Sequence, residues 1–276
     1  MDNKTTIRDV QDKILYIMKY IDKLCRDNGI RYYIMGGTAL GAVRHGGFIP
    51  WDDDLDIFMT PSEYKKFKSV MEKDNPSEFI LQEWRTTKEY LEYAKVRMNG
   101  TTFIEKNFAD KKDMHHGIYV DIMILHKVPS CKFIQKLVYC ESKFVTLYGL
   151  SQRNWQPKTK LQGLLLKLMT VLPCKYLVKR CYMRLYRYDD MQSDFMFCYW
   201  ITPAKFKSGL FYPEFFESPV DVPFEDTKLL ASKHIKDYLA YRYGDYMKLP
   251  SVEQQNAAVH ALIYDTEKDF TCYLNK

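Results

Sequence analysis

The sequence predicts an α+β fold: a small mixed sheet flanked by helices, with a helical subdomain inserted after residue 130. Apolar residues recur at three-and-four spacing from Val10 to Leu24, which is typical of an amphipathic helix. Short runs rich in tyrosine and isoleucine end in turn residues such as Gly36-Gly37, which indicates strands. From residue 131 to about 190 the pattern becomes helical, basic and aromatic, and this stretch predicts the insertion.

Turn and cap signals place the individual elements. Gly29 ends the first helix, Pro61 favours the start of another, and Asn99-Gly100 is a turn pair typical of hairpins. The predicted elements, in chain order, are a helix from Thr5 or Thr6 to Gly29, a strand over 31–35, a helix over 38–45, a strand over 54–59, a helix from Pro61 to about Asp74, hairpin strands over 92–98 and 101–105, a strand over 119–125, and a helix over 228–243.

The composition excludes several classes of protein. The chain is 46% hydrophobic and 15% aromatic, which is ample for a buried core. Its seven cysteines form no CxxC pair, which indicates reduced thiols and neither a disulfide framework nor a zinc site. No stretch approaches the ~20 apolar residues of a spanning helix, and the first residues lead into a polar-faced helix, not an apolar signal segment. We therefore expect a cytoplasmic protein, soluble or peripheral on the inner face of the cell membrane.

The net charge of +6 is unevenly distributed along the chain. Residues 131–188 hold twelve Lys or Arg and only Glu141 as an acidic residue, a local balance of +11 that leaves −5 for the remainder. Such a block predicts an anionic partner. Within it, residues 160–187 combine an apolar run with lysines, arginines and tyrosines, which is typical of a helix lying on an anionic leaflet. A core helix with a solvated basic face is the alternative, and we expect no nucleic-acid partner.

Aspartates form the clearest candidate for a metal site. Residues 52, 53, 54 and 56 are all aspartates, and two charges about 4 Å apart repel by about 4 kcal/mol at an effective dielectric near 20. Alternation along a strand points Asp54 and Asp56 the same way, with Asp52 if the strand begins early, whereas Asp53 favours a turn or capping bond. Asp121 lies in an apolar strand, where a lone carboxylate is costly to bury. Converging carboxylates suit Mg²⁺ or Mn²⁺, so Asp52, Asp54, Asp56 and Asp121 are the predicted ligands.

Other readings of this cluster are weaker. An acidic run by itself is typical of a solvated loop, and a glycine pair by itself is typical of a plain turn. A calcium loop of the EF-hand kind is unsuited to the sequence because Ile57 stands where the turn glycine should be. The two signals occur together, each at the end of a predicted strand, which favours a functional site.

A second group of residues is suited to phosphate. Gly36, Gly37 and Thr38 place backbone amides and a hydroxyl at a helix N-terminus, a natural anion site. Arg44 near the end of that helix either reaches a phosphate or forms a salt bridge with the aspartates. Lys95 and Arg97 share one face of a predicted strand, where they either contact a nucleotide phosphate or have a structural role.

The block from Gly36 to Asp56 resembles the signature of the LicD family, bacterial phosphocholine transferases distantly related to the fukutin-type enzymes of animals. The resemblance continues through Lys95–Arg97, His116–Ile122 and Tyr243–Pro250, so it covers nearly the whole chain. It is weakest over residues 131–210. The resemblance implies a nucleotidyltransferase-type fold in which a glycine turn precedes an Asp-x-Asp strand and a third aspartate.

Carried over by position, those family roles fall on Gly36, Gly37 and Thr38 in the turn and on Asp54, Asp56 and Asp121 as catalytic carboxylates. The resemblance also implies three regions: a nucleotidyltransferase-like catalytic core over 1–130, an insertion over 131–200 that contacts acceptor or membrane, and a C-terminal region over 201–276 that packs back on the core.

The expected reaction is metal-dependent transfer of phosphocholine from CDP-choline to a hydroxyl of a cell-surface glycan or a lipid-linked glycan precursor. Asp54 and Asp56 would hold one or two Mg²⁺ (or Mn²⁺) ions, and Asp121 would complete the site and act on the acceptor hydroxyl as a general base. An aromatic wall would bind the choline ammonium, with Trp51 the first candidate unless it packs in the core. His116 and His260 either orient ligands or are structural.

Three rival functions remain open. CDP-glycerol or CDP-ribitol could replace CDP-choline as the donor. A GT-A-like glycosyltransferase also uses Asp-x-Asp with a metal, although its motif normally follows a longer run of strand–helix units. A non-catalytic carbohydrate- or membrane-binding module is the third rival, against which the intact Asp54, Asp56 and Asp121 argue.

Overall fold

The computed structural model describes residues 5–83, 93–153, 155–157, 159–172, 174–202, 204–256 and 259–274. Residue 92 of the predicted hairpin and residues 154, 158 and 173 of the predicted insertion lie outside these ranges. The helices are α1 (Ile7–Asp27), α2 (Gly36–His45), α3 (Pro61–Asp74), α4 (Lys132–Ser151), α5 (Lys160–Val171), α6 (Lys175–Arg184), α7 (Ile235–Tyr243) and α8 (Val252–Asn256). The strands are β1 (Tyr33–Ile34), β2 (Asp56–Met59), β3 (Phe79–Gln82), β4 (Ala94–Met98), β5 (Thr102–Glu105), β6 (Tyr119–Ile124), β7 (His126–Pro129), β8 (Phe195–Cys198), β9 (Leu210–Phe211), β10 (Pro219–Phe224), β11 (Thr227–Ser232) and β12 (Ala261–Asp265).

A five-stranded mixed sheet lies at the centre of the fold, which confirms the predicted α+β class. Its strand order is β1-β2-β6-β4-β3, in which β2 and β6 run parallel and the other neighbours run antiparallel. Helix α1 packs against β4 and β6 with a fully buried stripe that consists of Val10, Ile14, Ile17 and Ile21. The smaller sheets pair β10 with β11, β5 with β12, and β8 with both β7 and β9.

Locally encoded helix ends agree with the sequence. The Thr6 side chain accepts a hydrogen bond from the Asp9 amide, and the Asp9 carboxylate in return accepts from the Thr6 amide, so α1 begins with a capping box. Helix α3 begins at Pro61 behind a Thr60 cap, as predicted. These features involve residues within one turn of each other, which is why sequence spacing alone identifies them.

Four predicted features are wrong or shorter than expected: a hairpin, a helix and two strands. The strands around Asn99-Gly100 do not pair with each other: β4 joins the central sheet, and β5 pairs with β12. The predicted helix over 228–243 is a strand in its first part, because Leu229 and Ala231 alternate inward in β11, and only α7 is helical. Strand β2 starts at Asp56 and β1 has two residues, so both are shorter than predicted.

The insertion has a hydrophobic cluster of its own. Strand β7 leaves the central sheet, α4, α5 and α6 follow, and the chain returns in β8 antiparallel to β7. Apolar side chains from this part pack together, among them Val138, Val145, Val178 and Trp200. By contrast, Phe211, Phe224, Leu229 and Tyr238 from the C-terminal part belong to the same cluster as the central sheet.

Candidate active site

Two of the predicted carboxylates face each other across the parallel strand pair. Asp56 on β2 is in register with Asp121 on β6. The pairing extends one step earlier, since the Asp121 amide donates to the carbonyl of Leu55 at 2.9 Å. Neighbouring strands lie about 4.8 Å apart, so side chains in register on one face are close neighbours. The backbone therefore brings Asp56 and Asp121 together, as the sequence predicted.

Asp52 and Asp54 reach the same place from a loop and not from a strand. Because β2 starts at Asp56, the strand alternation that aligned Asp54 with Asp56 in the sequence does not apply to them. Asp54 nevertheless faces Asp56, since its charge raises the pKa of the Asp56 carboxyl. We call Asp52, Asp54, Asp56 and Asp121 the acidic cluster.

The glycine turn is built against this cluster. The Thr38 hydroxyl accepts a hydrogen bond from the Asp56 amide at 2.9 Å, so the turn fixes the first residue of β2. Gly36 has a φ of +55°, and a Cβ there would lie 3.6 Å from Asp56 Oδ2. A Cβ on Gly37 would lie only 2.7 Å from Asp52 Oδ2. Both glycines therefore give the carboxylates room, a role additional to the predicted phosphate contact.

The Gly36 amide is already engaged, because it donates to the Tyr238 hydroxyl at 3.2 Å. Tyr238 lies on α7 and is buried. The C-terminal region thus shapes the turn that the family signature places in the N-terminal half. The predicted phosphate site at Gly36, Gly37 and Thr38 stays a prediction.

Burial and mutual repulsion raise the pKa of the carboxyl groups in the acidic cluster. Burial, followed by the charge of Asp54, raises the pKa of Asp52 to about 8. Burial also raises the pKa of Asp121 to about 6, in spite of the opposing charge of Lys95. The pKa of Asp56 lies well above its usual range because of burial and the charges of Asp54 and Asp121. A carboxylate group with these shifts favours a bound cation, which would reverse them.

The donor chemistry fits a hard divalent cation. Oδ1 of Asp56 is buried and accepts no hydrogen bond from any described residue, so one carboxylate oxygen lacks a protein partner. In the described part of the chain, no three His, Cys, Asp or Glu side chains are arranged so that they could hold a metal as they stand. Protein cations occupy two members instead: Lys95 Nζ lies 2.8 Å from Asp121 Oδ1, and His260 Nδ1 lies 3.3 Å from Asp54 Oδ2.

Lys95 and Arg97 have structural roles in this structure, and neither is exposed to solvent. Lys95 Nζ lies 3.3 Å from Glu105, in addition to its contact with Asp121. Arg97 donates to Glu105 at 2.9 Å, to Gln82 at 2.6 Å and to the carbonyl of Gly117 at 2.8 Å. The structure therefore does not bring Arg97 to a nucleotide phosphate. We call Lys95, Arg97 and Glu105 the buried ion-pair group.

Arg44 forms no salt bridge with the aspartates among the described residues, and its contact with a phosphate stays a prediction. Its guanidinium donates to the carbonyls of Tyr246 at 3.0 Å and Lys248 at 3.4 Å, and so it joins the end of α2 to the segment after α7.

Trp51 is half-buried with its ring edge-on to His45. His116 is buried and its Nε2 lies 2.8 Å from the Lys111 carbonyl oxygen, which is the structural role that the sequence left open.

Asp53 has the structural role that was predicted for it, but its partners are distant. Its carboxylate accepts hydrogen bonds from the amides of His260 at 2.8 Å and Ala261 at 2.9 Å, and it lies 3.0 Å from His260 Nδ1. The hydrogen bond to Asp53, opposed by burial and helped by Asp54, raises the pKa of His260 to about 10. His260 is therefore a cation that faces the acidic cluster.

Sequence reasoning missed Tyr199, which follows β8 directly. This side chain is buried, and its hydroxyl has no hydrogen-bond partner among the described residues. Burial and the nearby charges of Asp56 and Asp121 raise its pKa well above the usual range. Tyr199 lies where the family resemblance is weakest and in no motif, so no signal in the sequence could have found it.

A cavity of about 1160 Å³ lies at the other ends of the same strands. It is lined by residues that include Thr60, Tyr64, Ile124, Tyr186 and Phe195. Thr60 is four residues beyond Asp56, a separation of roughly 13 Å along a strand. The cavity is therefore distinct from the place where the carboxylates meet.

A glycine turn against paired aspartates on parallel strands of a mixed sheet is the arrangement that the sequence resemblance implied for a phosphotransferase with a nucleotidyltransferase-type fold. Residues 29–139 match the model of the family described as LicD/FKTN/FKRP, nucleotidyltransferase domain. The chain is 28% identical to the lipopolysaccharide cholinephosphotransferase LicD of Haemophilus influenzae over 256 residues, which are 91% of this chain and 95% of that protein. Residues 29–139 therefore match the LicD family, and the chain along most of its length is similar to a LicD protein, in agreement with the resemblance seen in the sequence.

Two further relatives match smaller parts. An uncharacterized protein of Rickettsia prowazekii, RP689, is 33% identical over 143 residues, which are 49% of this chain and 48% of that protein. Human ribitol 5-phosphate transferase FKRP is 46% identical over 39 residues, which are 14% of this chain and 8% of that protein. The similarity to FKRP is therefore local.

Proposed function

We propose that this protein transfers a phospho-alcohol from a CDP-linked donor to a hydroxyl of a cell-surface glycan or a lipid-linked glycan precursor, with phosphocholine from CDP-choline as the first candidate. The observation that carries the proposal is the acidic cluster, in which Asp56 and Asp121 are in register and Asp56 Oδ1 accepts no hydrogen bond from any residue that the structure describes. The similarity to a cholinephosphotransferase along 91% of the chain supports the choice of reaction.

The carboxylates of the acidic cluster are the proposed metal ligands. Asp54 and Asp56 would hold Mg²⁺ or Mn²⁺, with Asp52 and Asp121 completing the set. The ion would supply charge neutralisation for the donor diphosphate and the departing CMP. Thr38 holds the Asp56 amide, and Gly36 and Gly37 leave space beside the carboxylates for the donor.

The acceptor hydroxyl oxygen attacks the phosphorus that carries the alcohol, and the bond from that phosphorus to CMP breaks. Asp121 accepts the hydroxyl proton. Lys95, at 2.8 Å, holds this carboxylate in place.

The alcohol that the donor carries has more than one candidate. Ribitol phosphate is the second candidate, since the local match to FKRP includes 46% identity over 39 residues; glycerol phosphate is chemically similar. Choline would need aromatic faces beside the site, and we propose Tyr199 and Tyr243 as candidates because the charge of Asp56 contributes to the raised pKa of both hydroxyls. The family match argues against a GT-A-like glycosyltransferase.

The proposal places the reaction in the cytoplasm. All seven cysteines are free thiols, which agrees with a reducing compartment.

A panel of donors tests the proposal. The purified protein is incubated with CDP-choline, CDP-glycerol or CDP-ribitol and a lipid-linked glycan acceptor, with Mg²⁺, Mn²⁺ or a chelator, while CMP release and the acceptor mass are measured. We expect release with one donor, dependent on the metal, and a matching mass increase of the acceptor. Release in chelator would overturn the metal assignment, and no release with any donor would overturn the reaction.

Asp54→Asn sharpens the test, with Asp237→Asn as its matched control because Asp237 is an exposed aspartate on α7, 75% exposed. The first substitution should abolish release, and the second should leave it unchanged. Equal rates for the two variants would remove Asp54 from the proposed site.

A further inference from the structure

All three helices of the insertion expose large apolar side chains. Val171 is 82% exposed, Tyr176 is 76% exposed and Phe133 is 70% exposed. We call the exposed set the apolar face; its members are Phe133 and Leu137 on α4; Leu161, Leu164, Leu165, Leu168, Val171 and Leu172 on or next to α5; and Tyr176, Leu177 and Met183 on α6. Many large apolar side chains exposed on one subdomain indicate an interaction site.

The six apolar residues of the α5 part lie on one side of that helix. At about 100° per residue they fall within roughly 120° of arc. The opposite side holds Leu166 and Met169, which are buried in the insertion. Helix α5 is therefore apolar on two sides, and only one of them is covered by the rest of the protein.

Lysines lie along the edge of this stripe. Lys160 and Lys167 are exposed and sit about 20–40° beyond Val171 around the helix. On α6, Lys175, Lys179 and Arg180 are exposed beside Tyr176 and Leu177. An apolar stripe with a cationic edge is complementary to a lipid surface that carries anionic headgroups.

Not every cation of the insertion is available for such a contact. Lys143 donates to the carbonyls of Trp200 and Ala204, and burial lowers its pKa to about 8. Arg184 and Arg187 form ion pairs with Glu141 at 3.0 and 3.3 Å. The exposed lysines beside the apolar face are therefore the ones that a partner would meet.

Helices α5 and α6 are better suited to lying on a membrane surface than to crossing a membrane. No single described helix is long and apolar enough to cross a membrane, and α5 with the segment that follows it reaches such a composition only as a bent pair. Both helices also contribute buried side chains, Met169 and Val178 among them, to the cluster inside the insertion. Crossing a bilayer would require this cluster to open.

We propose that the apolar face docks the protein on an anionic lipid leaflet, with α5 and α6 at the lipid boundary. The apolar side chains enter the region between headgroups and acyl chains, and Lys160, Lys167, Lys175 and Lys179 contact the anionic headgroups. The local balance of +11 over residues 131–188, against −5 for the remainder, makes the leaflet the occupant favoured by charge. A second copy of this chain would bring the same positive surfaces together.

Vesicle flotation tests the proposal without nucleotide or acceptor, so it is independent of the reaction. The protein is mixed with vesicles of phosphatidylcholine alone or with about three in ten lipids replaced by phosphatidylglycerol. We expect flotation with the anionic vesicles, weakening as salt is raised because the headgroup charges are screened. Failure of the unmodified protein to float with anionic vesicles would overturn the proposal.

Val171→Glu should lower the partition onto anionic vesicles by about tenfold or more. Val252→Glu is the matched control, because Val252 is 70% exposed on α8, away from the insertion, and should have no effect. Each Lys→Gln change at positions 160, 167 and 175 should weaken binding about fivefold, whereas the same change at the exposed Lys233 and Lys236 should not.

Two results would contradict this docking. One is a Val171→Glu variant that floats as well as the unmodified protein while melting at the same temperature. The other is an unmodified protein that forms dimers in solution, with Val171→Glu giving monomers and neither form binding vesicles. That outcome would assign the face to a second copy of the chain.

Discussion

The acidic cluster and the buried ion-pair group meet where Lys95 contacts Asp121, yet the charges of one group are compensated within the fold and those of the other are not. Glu105 lies 2.9 Å from Arg97 and 3.3 Å from Lys95, so the charges of that group are compensated within the fold. Although burial alone would raise it, the pKa of Glu105 is lowered to about 2 by these two cations. In the acidic cluster the pKa of Asp52, Asp56 and Asp121 moves in the opposite direction.

This contrast separates charges that stabilise the fold from charges that are suited to binding a ligand. A buried carboxylate with two cationic partners has a structural role, since removing one partner leaves the others uncompensated. Carboxylates that repel one another lower the stability of the fold, which is typical of sites that bind a cation or perform chemistry. Lys95, a member of the buried ion-pair group, also contacts Asp121 of the acidic cluster and so connects the two.

The largest expected effect is on the reaction. Asp56→Asn should lower the rate of CMP release by about 10³-fold, or about 4 kcal/mol of barrier, because a central ligand for the donor's cation is lost. The free energy of unfolding in chelator should not fall, since one repelling charge is removed. Both are measured on the same preparation, by CMP release and by denaturant titration. A variant that loses stability but keeps its rate would reverse the assignment of the two groups.

Glu105→Gln should have the opposite outcome on stability. Loss of the carboxylate leaves Lys95 and Arg97 buried without their shared counter-charge, which should lower the free energy of unfolding by about 3–5 kcal/mol. Denaturant titration measures the change. Glu267→Gln is the control, because Glu267 is 79% exposed in its pair with Lys13 and should contribute less than about 0.5 kcal/mol. If the two substitutions cost the same, the ion-pair group is not the structural one.

The pH dependence of stability should also have opposite signs in the two groups. Asp121 has a pKa of about 6 in the fold against an ordinary value of 3.8, so the folded chain binds a proton that the unfolded chain has released. Without metal, stability should therefore fall as pH rises through this range, by roughly 2–3 kcal/mol from Asp121. The raised pKa of Asp52 extends the fall towards pH 8.

Glu105 contributes in the other direction, because its pKa of about 2 lies below the ordinary value of 4.5. Its stabilisation is complete above that ordinary value and is lost as pH falls towards 2. Denaturation in chelator across pH 3–8 should thus give a maximum at acidic pH, and Mg²⁺ should flatten the neutral limb. A metal-free protein whose stability rises steadily to pH 8 would contradict the repulsion inferred for the acidic cluster.

The smallest effect is expected at Tyr199. Tyr199→Phe removes a buried hydroxyl that has no partner among the described residues, so stability should stay equal or rise slightly. If the hydroxyl contacts the donor, the rate of CMP release should fall by about tenfold. Kinetics and denaturant titration together distinguish the two roles. Loss of stability with an unchanged rate would make Tyr199 a packing residue.

Much of the local structure follows from the sequence alone. The cap at Thr6, the start of α3 at Pro61 and the α+β class were predicted because each depends on neighbouring residues or on periodicity. The convergence of Asp56 and Asp121 was also predicted, since both lie in short apolar strands where a lone carboxylate needs a partner. The structural role of Asp53 was expected as well, although it was assigned to a local turn.

What could not be predicted depends on partners distant in the chain. Asn99-Gly100 gives a turn, but the strand after it pairs with β12, more than 150 residues later, and so no hairpin forms. Lys95 and Arg97 share a face, as expected, yet their burial depends on Glu105 and Gly117. Tyr199 and His260 reach the site from regions without a motif, so only the three-dimensional structure places them there.

The bond from Asp53 to the amides of residues 260 and 261 has a consequence for how the protein is made. These groups are 207 and 208 residues apart, so the loop that carries Asp52 and Asp54 cannot take its final shape on the ribosome until β12 has emerged. Closing so long a loop costs conformational entropy that only the completed β5–β12 pairing repays. Asp52 and Asp54 are thus brought into place only after residue 261 has been made, when most of the core has had time to form.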